Sequence, residues 1–139
     1  MRDRAARGIT LVLDENLSGR RILKGLRDEG IAVVPQTAFM KRGVSDEELL
    51  RKLAGKPDHF LLSKDSDFHR RPAVKAALFQ HGIGAFIITA HKNKTAADLV
   101  SLIVRAWPRM QRCAENHRRP FVAKILADAR VEVIVEKHA

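Results

Sequence analysis

The stretch Ile9-Thr10-Leu11-Val12-Leu13-Asp14-Glu15-Asn16-Leu17 decides how the rest of the chain reads. Its first part is a short apolar run, rich in β-branched residues. Such a run is the mark of a buried strand, because it is too brief for a helix and shows no 3.6-residue period. It then breaks abruptly into two acids and an asparagine. The same switch recurs downstream, where Phe60-Leu61-Leu62 runs into Ser63-Lys64-Asp65-Ser66-Asp67-Phe68. Two buried strands, each ending in carboxylates, are the pattern to explain.

Between and beyond these strands the apolar period alternates. Leu17, Ile22, Leu23 and Leu26 recur at helical spacing, and Gly30 supplies a stop. Ile31 to Val34 reads as a second strand closed by Pro35, and 36–44 as a loop. Ser45 with Glu48 forms a capping box that opens the next helix, with Leu49, Leu50 and Leu53 on its apolar face. Pro72 suits the first turn of another helix, which carries Val74, Ala77 and Leu78 inward before Gly82. Ala85 to Ile88 is a fourth strand ending at Thr89. Thr95 and Asp98 cap a long helix through Leu99, Leu102 and Ile103, and Pro108 is expected to kink or restart it before Met110 and Cys113. For the tail, Val131, Val133 and Val135 alternate as a strand does. Residues 121–126 read either as its hairpin partner, turning at 127–130, or as a short helix. Strands each followed by a helix give an α/β fold: a parallel sheet sandwiched by helices, with a possible C-terminal β-hairpin.

The 139 residues suit a single domain over 1–139. At 45% hydrophobic and 30% charged the chain is globular in composition, and disorder is excluded. Lys and Arg number 26 against 16 Asp and Glu, a net charge of +10, which favours a polyanionic partner. Cys113 is the sole cysteine, so an internal disulfide and a cysteine-based zinc cluster are ruled out, and a reducing compartment fits. The apolar runs are too short to span a membrane. The basic start, Met1 to Arg7, leads into no long apolar stretch, so a secretory signal is not expected and a cytoplasmic location is.

In open α/β sheets, ligands bind beyond the carboxyl ends of the strands. This chain brings Asp14 and Glu15 there from the first strand and Asp65 and Asp67 from the third. Asp46 and Glu47 come from a helix start that lies on the same edge. Each acid also has a purely structural account, as a cap, a turn residue or a partner for a helix dipole. Their arrival on one edge of a basic protein is what singles them out. Converging carboxylates repel, and a hard cation such as Mg²⁺ or Mn²⁺, which takes oxygen ligands, resolves the repulsion. Such an ion can activate water for phosphodiester cleavage.

These motifs, Asp14-Glu15-Asn16-Leu17, Ser45-Asp46-Glu47-Glu48 and Ser63-Lys64-Asp65-Ser66-Asp67-Phe68, occur in an order that resembles the PIN-domain superfamily. Within it they look like the compact PIN-like branch related to VapC-type toxin ribonucleases. The resemblance covers about residues 9–90, leaving 95–139 as a basic helix-and-strand extension. It implies a Mg²⁺- or Mn²⁺-dependent endoribonuclease that hydrolyses RNA, with Asp14, Asp46, Asp65 and Asp67 as catalytic and metal-binding acids. It also implies the toxin half of a toxin–antitoxin pair, a cognate antitoxin protein and a homodimer. Two departures stand out. Residues 36–44 hold no acid where many such nucleases carry one, and Ser63 stands where Thr is usual.

Around the expected cleft, Arg20, Arg21, Lys41, Arg42, Lys64, Arg70 and Arg71 are the candidate phosphate contacts. Arg105, Arg109, Arg112, Arg118 and Arg119 lie beyond, as a second RNA contact or an interface for an acidic partner. At 5% aromatic, and with no tyrosine, base stacking is not the expected mode of recognition. The six histidines show no paired ligand spacing. Two other readings stay open. One is a non-catalytic PIN-like module that binds RNA or protein. The other is a receiver-type phosphoacceptor domain, with Asp14-Glu15, Asp65 and Thr89 in the roles such domains need.

Overall fold

Strand side chains alternate between faces, so a sheet buried on both sides must be apolar at every position. The computed structural model, which describes residues 8–17, 19–41, 45–65, 70–89 and 92–136, shows how the chain meets that demand. Its strands are β1 (Thr10–Leu13), β2 (Val33–Pro35), β3 (His59–Ser63), β4 (Gly84–Ile88), β5 (Phe121–Ile125) and β6 (Val131–Glu136). The described helices are α1 (Arg20–Asp28), α2 (Asp46–Leu53), α3 (Pro72–His81) and α4 (Ala96–Asn116). Short 3₁₀ turns at Glu15–Leu17 and Gln36–Ala38 follow β1 and β2.

The six strands form one sheet in the order β2-β1-β3-β4-β5-β6. All neighbours are parallel except β5 and β6, which pair antiparallel. On one face Leu11, Leu13, Phe60, Leu62, Phe86 and Ile88 pack with α1 and α4 through Ile22, Leu26, Leu102 and Ile103. On the other, Val12, Leu61, Ala85 and Ile87 pack with α2 and α3 through Leu49, Leu50, Leu53, Val74 and Leu78. Each strand therefore divides its residues between two cores. The expected sandwich is present, and the tail resolves as the hairpin, whose first arm extends the parallel sheet rather than standing apart.

Some local expectations are corrected. Leu17 belongs to a 3₁₀ turn, and the helix after it begins only at Arg20. The chain must turn back over the sheet at Asp14 before a helix can start, and the Leu17 N–H donating to the Asp14 carbonyl closes that turn. α4 runs unbroken through Pro108. Its apolar face continues across the proline, with Ala106 and Met110 both fully buried, and that packing outweighs one missing hydrogen bond. At α2, Ser45 accepts from the Glu48 N–H as expected, whereas the Glu48 carboxylate pairs with Arg51. The reciprocal capping box is complete at Thr95 and Asp98.

Candidate active site

The first acid is placed by β1, the second strand of the six. β1 lies between β2 and β3; the chain steps from β1 to β2 on one side and then crosses back past β1 to β3 on the other, so the strand order reverses and a crevice opens at the carboxyl end of β1. Asp14 stands there, 9% exposed, as a buried acid. Its N–H donates to the Leu62 carbonyl, which fixes it to β3. Its side chain accepts from the Asn16 N–H at 3.1 Å and from the Ser63 hydroxyl at 2.5 Å.

Ser63 does more than hold Asp14. Its hydroxyl oxygen also accepts the Asp65 N–H at 3.0 Å. One buried side chain thus ties together the acid-bearing ends of β1 and β3. Asp46 reaches the same place as the first residue of α2, behind the Ser45 cap. The start of α3 supplies Arg71, the residue before Pro72. Its Nη2 donates to Asp46 Oδ2 at 2.9 Å and to Asp65 Oδ2 at 3.0 Å.

Burial acts on Asp14 and Asp46 in the same direction. Burial pushes the Asp14 carboxyl above the usual carboxylate range, against the lowering effect of Ser63 and Asn16, and the charges of Asp46 and Asp65 push it further up. Burial also raises Asp46, opposed by the Arg71 guanidinium. The charge of Asp65 raises both, as converging carboxylates must.

The cleft they share measures ≈ 280 Å³ and is lined by Asp14, Glu15, Asn16, Gln36, Asp46, Asp65 and Arg71. Gln36 was not singled out by sequence reasoning. It is 4% exposed, directly follows β2, and donates from Nε2 to Glu15 Oε1 at 3.3 Å. The signal was its position: it is the residue just past a third strand end on the same edge. Asp67 and Arg42 lie outside the described residues. Among the other candidates, Lys64 is half-buried beside Asp65, while Lys41, Arg70, Arg20 and Arg21 are exposed. Arg20 and Arg21 head α1, which leaves from the same edge.

The larger cleft, ≈ 770 Å³, lies on the opposite edge of the sheet, where Phe60, Pro108, Arg112 and Arg118 are among its lining residues. There Arg119 serves the fold. Its guanidinium donates to the carbonyls of Gly82 at 2.7 Å, Pro57 at 2.5 Å and His59 at 3.2 Å, and stacks 5.3 Å from the Phe60 ring. The sequence matches the family described as PIN like domain over residues 9–90. The chain belongs to the PIN-like domain family. No curated protein and no solved structure matches it.

In this PIN-like domain the matched span contains every acid of the cleft, while α4, β5 and β6 lie wholly outside it. PIN domains typically use divalent metals, and the donors here suit one: carboxylates from Asp14, Asp46 and Asp65, joined by Glu15 and the amide oxygens of Asn16 and Gln36, form an all-oxygen set. As arranged, no three His, Cys, Asp or Glu among the described residues are grouped to hold an ion. The guanidinium of Arg71 stands between Asp46 and Asp65 instead. The receiver-type reading needs a lysine after the fifth parallel strand. β5 is followed by Leu126, Ala127 and Asp128, and the Thr89 hydroxyl donates to the Ile125 carbonyl.

Proposed function

We propose that this PIN-like domain is a Mg²⁺- or Mn²⁺-dependent endoribonuclease that hydrolyses RNA phosphodiester bonds, acting as the toxin component of a toxin–antitoxin pair. The observation that carries the reading is the meeting of Asp14, Asp46 and Asp65 in one cleft from three separate elements. Asp14, Asp46 and Asp65 would hold the cation, with Asp67 as a further ligand. When bound, the ion supplies an activated water and charge neutralisation at the phosphate. The chain's own residues do the rest. Ser63 and Asn16 orient the Asp14 carboxylate. Gln36 steadies Glu15 at the cleft wall. Lys64 and Arg70, chain neighbours of the cleft residues Asp65 and Arg71, would with Lys41 and the start of α1 supply positive charge that draws in a polyanion and grips its phosphates without reading bases. A basic nuclease of this kind calls for restraint, and a co-encoded antitoxin covering the cleft would provide it.

The test is cleavage of mixed single-stranded RNA by the purified protein in Mg²⁺, in Mn²⁺ and in chelator. Cleavage with metal alone is expected, with Asp14→Asn and Asp65→Asn each lowering the rate by about 100-fold or more, the scale of a lost site-building group. Metal-independent cleavage, or full activity in folded Asp14→Asn, would overturn the assignment. The Arg71 bridge favours a second reading, a non-catalytic module that binds RNA or protein. RNA retention with no cleavage in any metal would establish that one.

A further inference from the structure

We propose that Arg71 is an internal counter-cation of the acid cleft, which keeps Asp46 and Asp65 together when no metal is bound and competes with a divalent ion for them. The inference rests on the metal-dependent reading above and concerns the regulation of that same site.

The argument begins with where the acids come from. Asp46 arrives on the first turn of α2, and Asp65 on the loop after β3. No backbone pairing joins those two segments; core packing of α2 and α3 on β3 brings them near, and the like charges of the two acids then need an offset. Arg71 supplies it from a third segment, the start of α3, with one nitrogen donating to one oxygen of each acid. Those are oxygens a hard cation would take.

The bridge is built to yield. Arg71 is 47% exposed, Asp46 35% and Asp65 33%, and ion pairs this solvated are weak. A divalent ion brings twice the charge to a smaller radius and can draw in Asp14 as well. Asp14, which accepts from the Ser63 hydroxyl and the Asn16 N–H, stands beside that pair in the same cleft. Metal entry is therefore an exchange: two ion pairs to Arg71 are lost as the new ligand bonds form. The exchange raises the concentration of metal needed to load the site.

Calorimetric Mn²⁺ titration of the full chain tests this, comparing wild type with Arg71→Ala and Arg71→Lys. Arg71→Ala should bind Mn²⁺ roughly three- to tenfold more tightly, the scale of two partly exposed ion pairs. Arg71→Lys keeps the charge and should stay within about twofold of wild type. Melting in chelator and in saturating Mn²⁺ gives an independent readout. Arg71→Ala should melt below wild type in chelator and gain more from the metal. If Arg71→Ala fails to fold, Arg71→Gln, which keeps an amide donor without the charge, takes its place and should show the same tightening. Unchanged or weaker Mn²⁺ binding by the folded neutral variant overturns the counter-cation and leaves the metal-dependent reading standing. Failure of wild type and variant alike to bind Mn²⁺ overturns both.

Discussion

Asp14 is pulled in opposite directions by stability and by the proposed metal site. A carboxyl whose pKa is raised on folding holds its proton more firmly folded than unfolded. Its ionised form therefore costs stability at neutral pH, and the cost is relieved as pH falls through the raised value toward the ordinary carboxylate range. Asp14→Asn should accordingly melt a few degrees higher than wild type in chelator at about pH 7, with the gap closing toward about pH 4. The same variant should lose its gain from Mn²⁺. Thermal melts across that range, with and without metal, check both signs. The positions of Asp14, Asp46 and Asp65 were legible because a strand end or a capped helix start is a local pattern. The pairing of Arg71 was not. It was read as a phosphate contact, and its partners lie 25 and 6 residues away. Nothing local reveals that they converge. Ser63 was noticed as a departure from threonine, yet its bond across to Asp14 could emerge only once β1 and β3 were seen side by side.

Among the elements, β4 shows how tightly the layers constrain composition. Gly84 opens the strand, and a Cβ there would lie 2.6 Å and 2.7 Å from the Phe60 ring and 3.1 Å from that of Phe121. Those rings, with Phe86, form an aromatic cluster whose centroids lie 5.7 to 6.0 Å apart. Packed rings of this kind have little room to retreat. Gly84→Ala should cost about 1–3 kcal/mol, measured by chemical denaturation, while leaving Mn²⁺ affinity unchanged because the cleft is at the other end of the strand. In sequence, Gly82-Ile83-Gly84 precedes a strand rather than following one, and nothing local shows which rings Gly84 will meet. The strands and helices themselves were legible from their periods. The path of α4 through Pro108 was not, because a proline's local effect can be overruled by packing on both sides of it. Residues 121–126 were undecided for a related reason: a short apolar run fits a strand or a helix until its neighbours are known.

For the whole molecule, the decisive contrast is an acidic cleft inside a chain of net charge +10. The opposite end of the sheet is fastened by Arg119, which joins the segments entering β3 and β4, so the layers are clamped away from the site and open at it. The two borders of the sheet also differ. β2 has three residues and ends in Pro35, which has no amide hydrogen to offer. β6 has six residues, and its outer row of amides meets no further strand among the described residues. Deuterium uptake should therefore spread inward from the β6 side, reaching β1 and β3 last. The amides that anchor Asp14 would then stay protected longest, so slow loss of the fold by fraying would leave the Asp14 carboxylate in register until the final cooperative step.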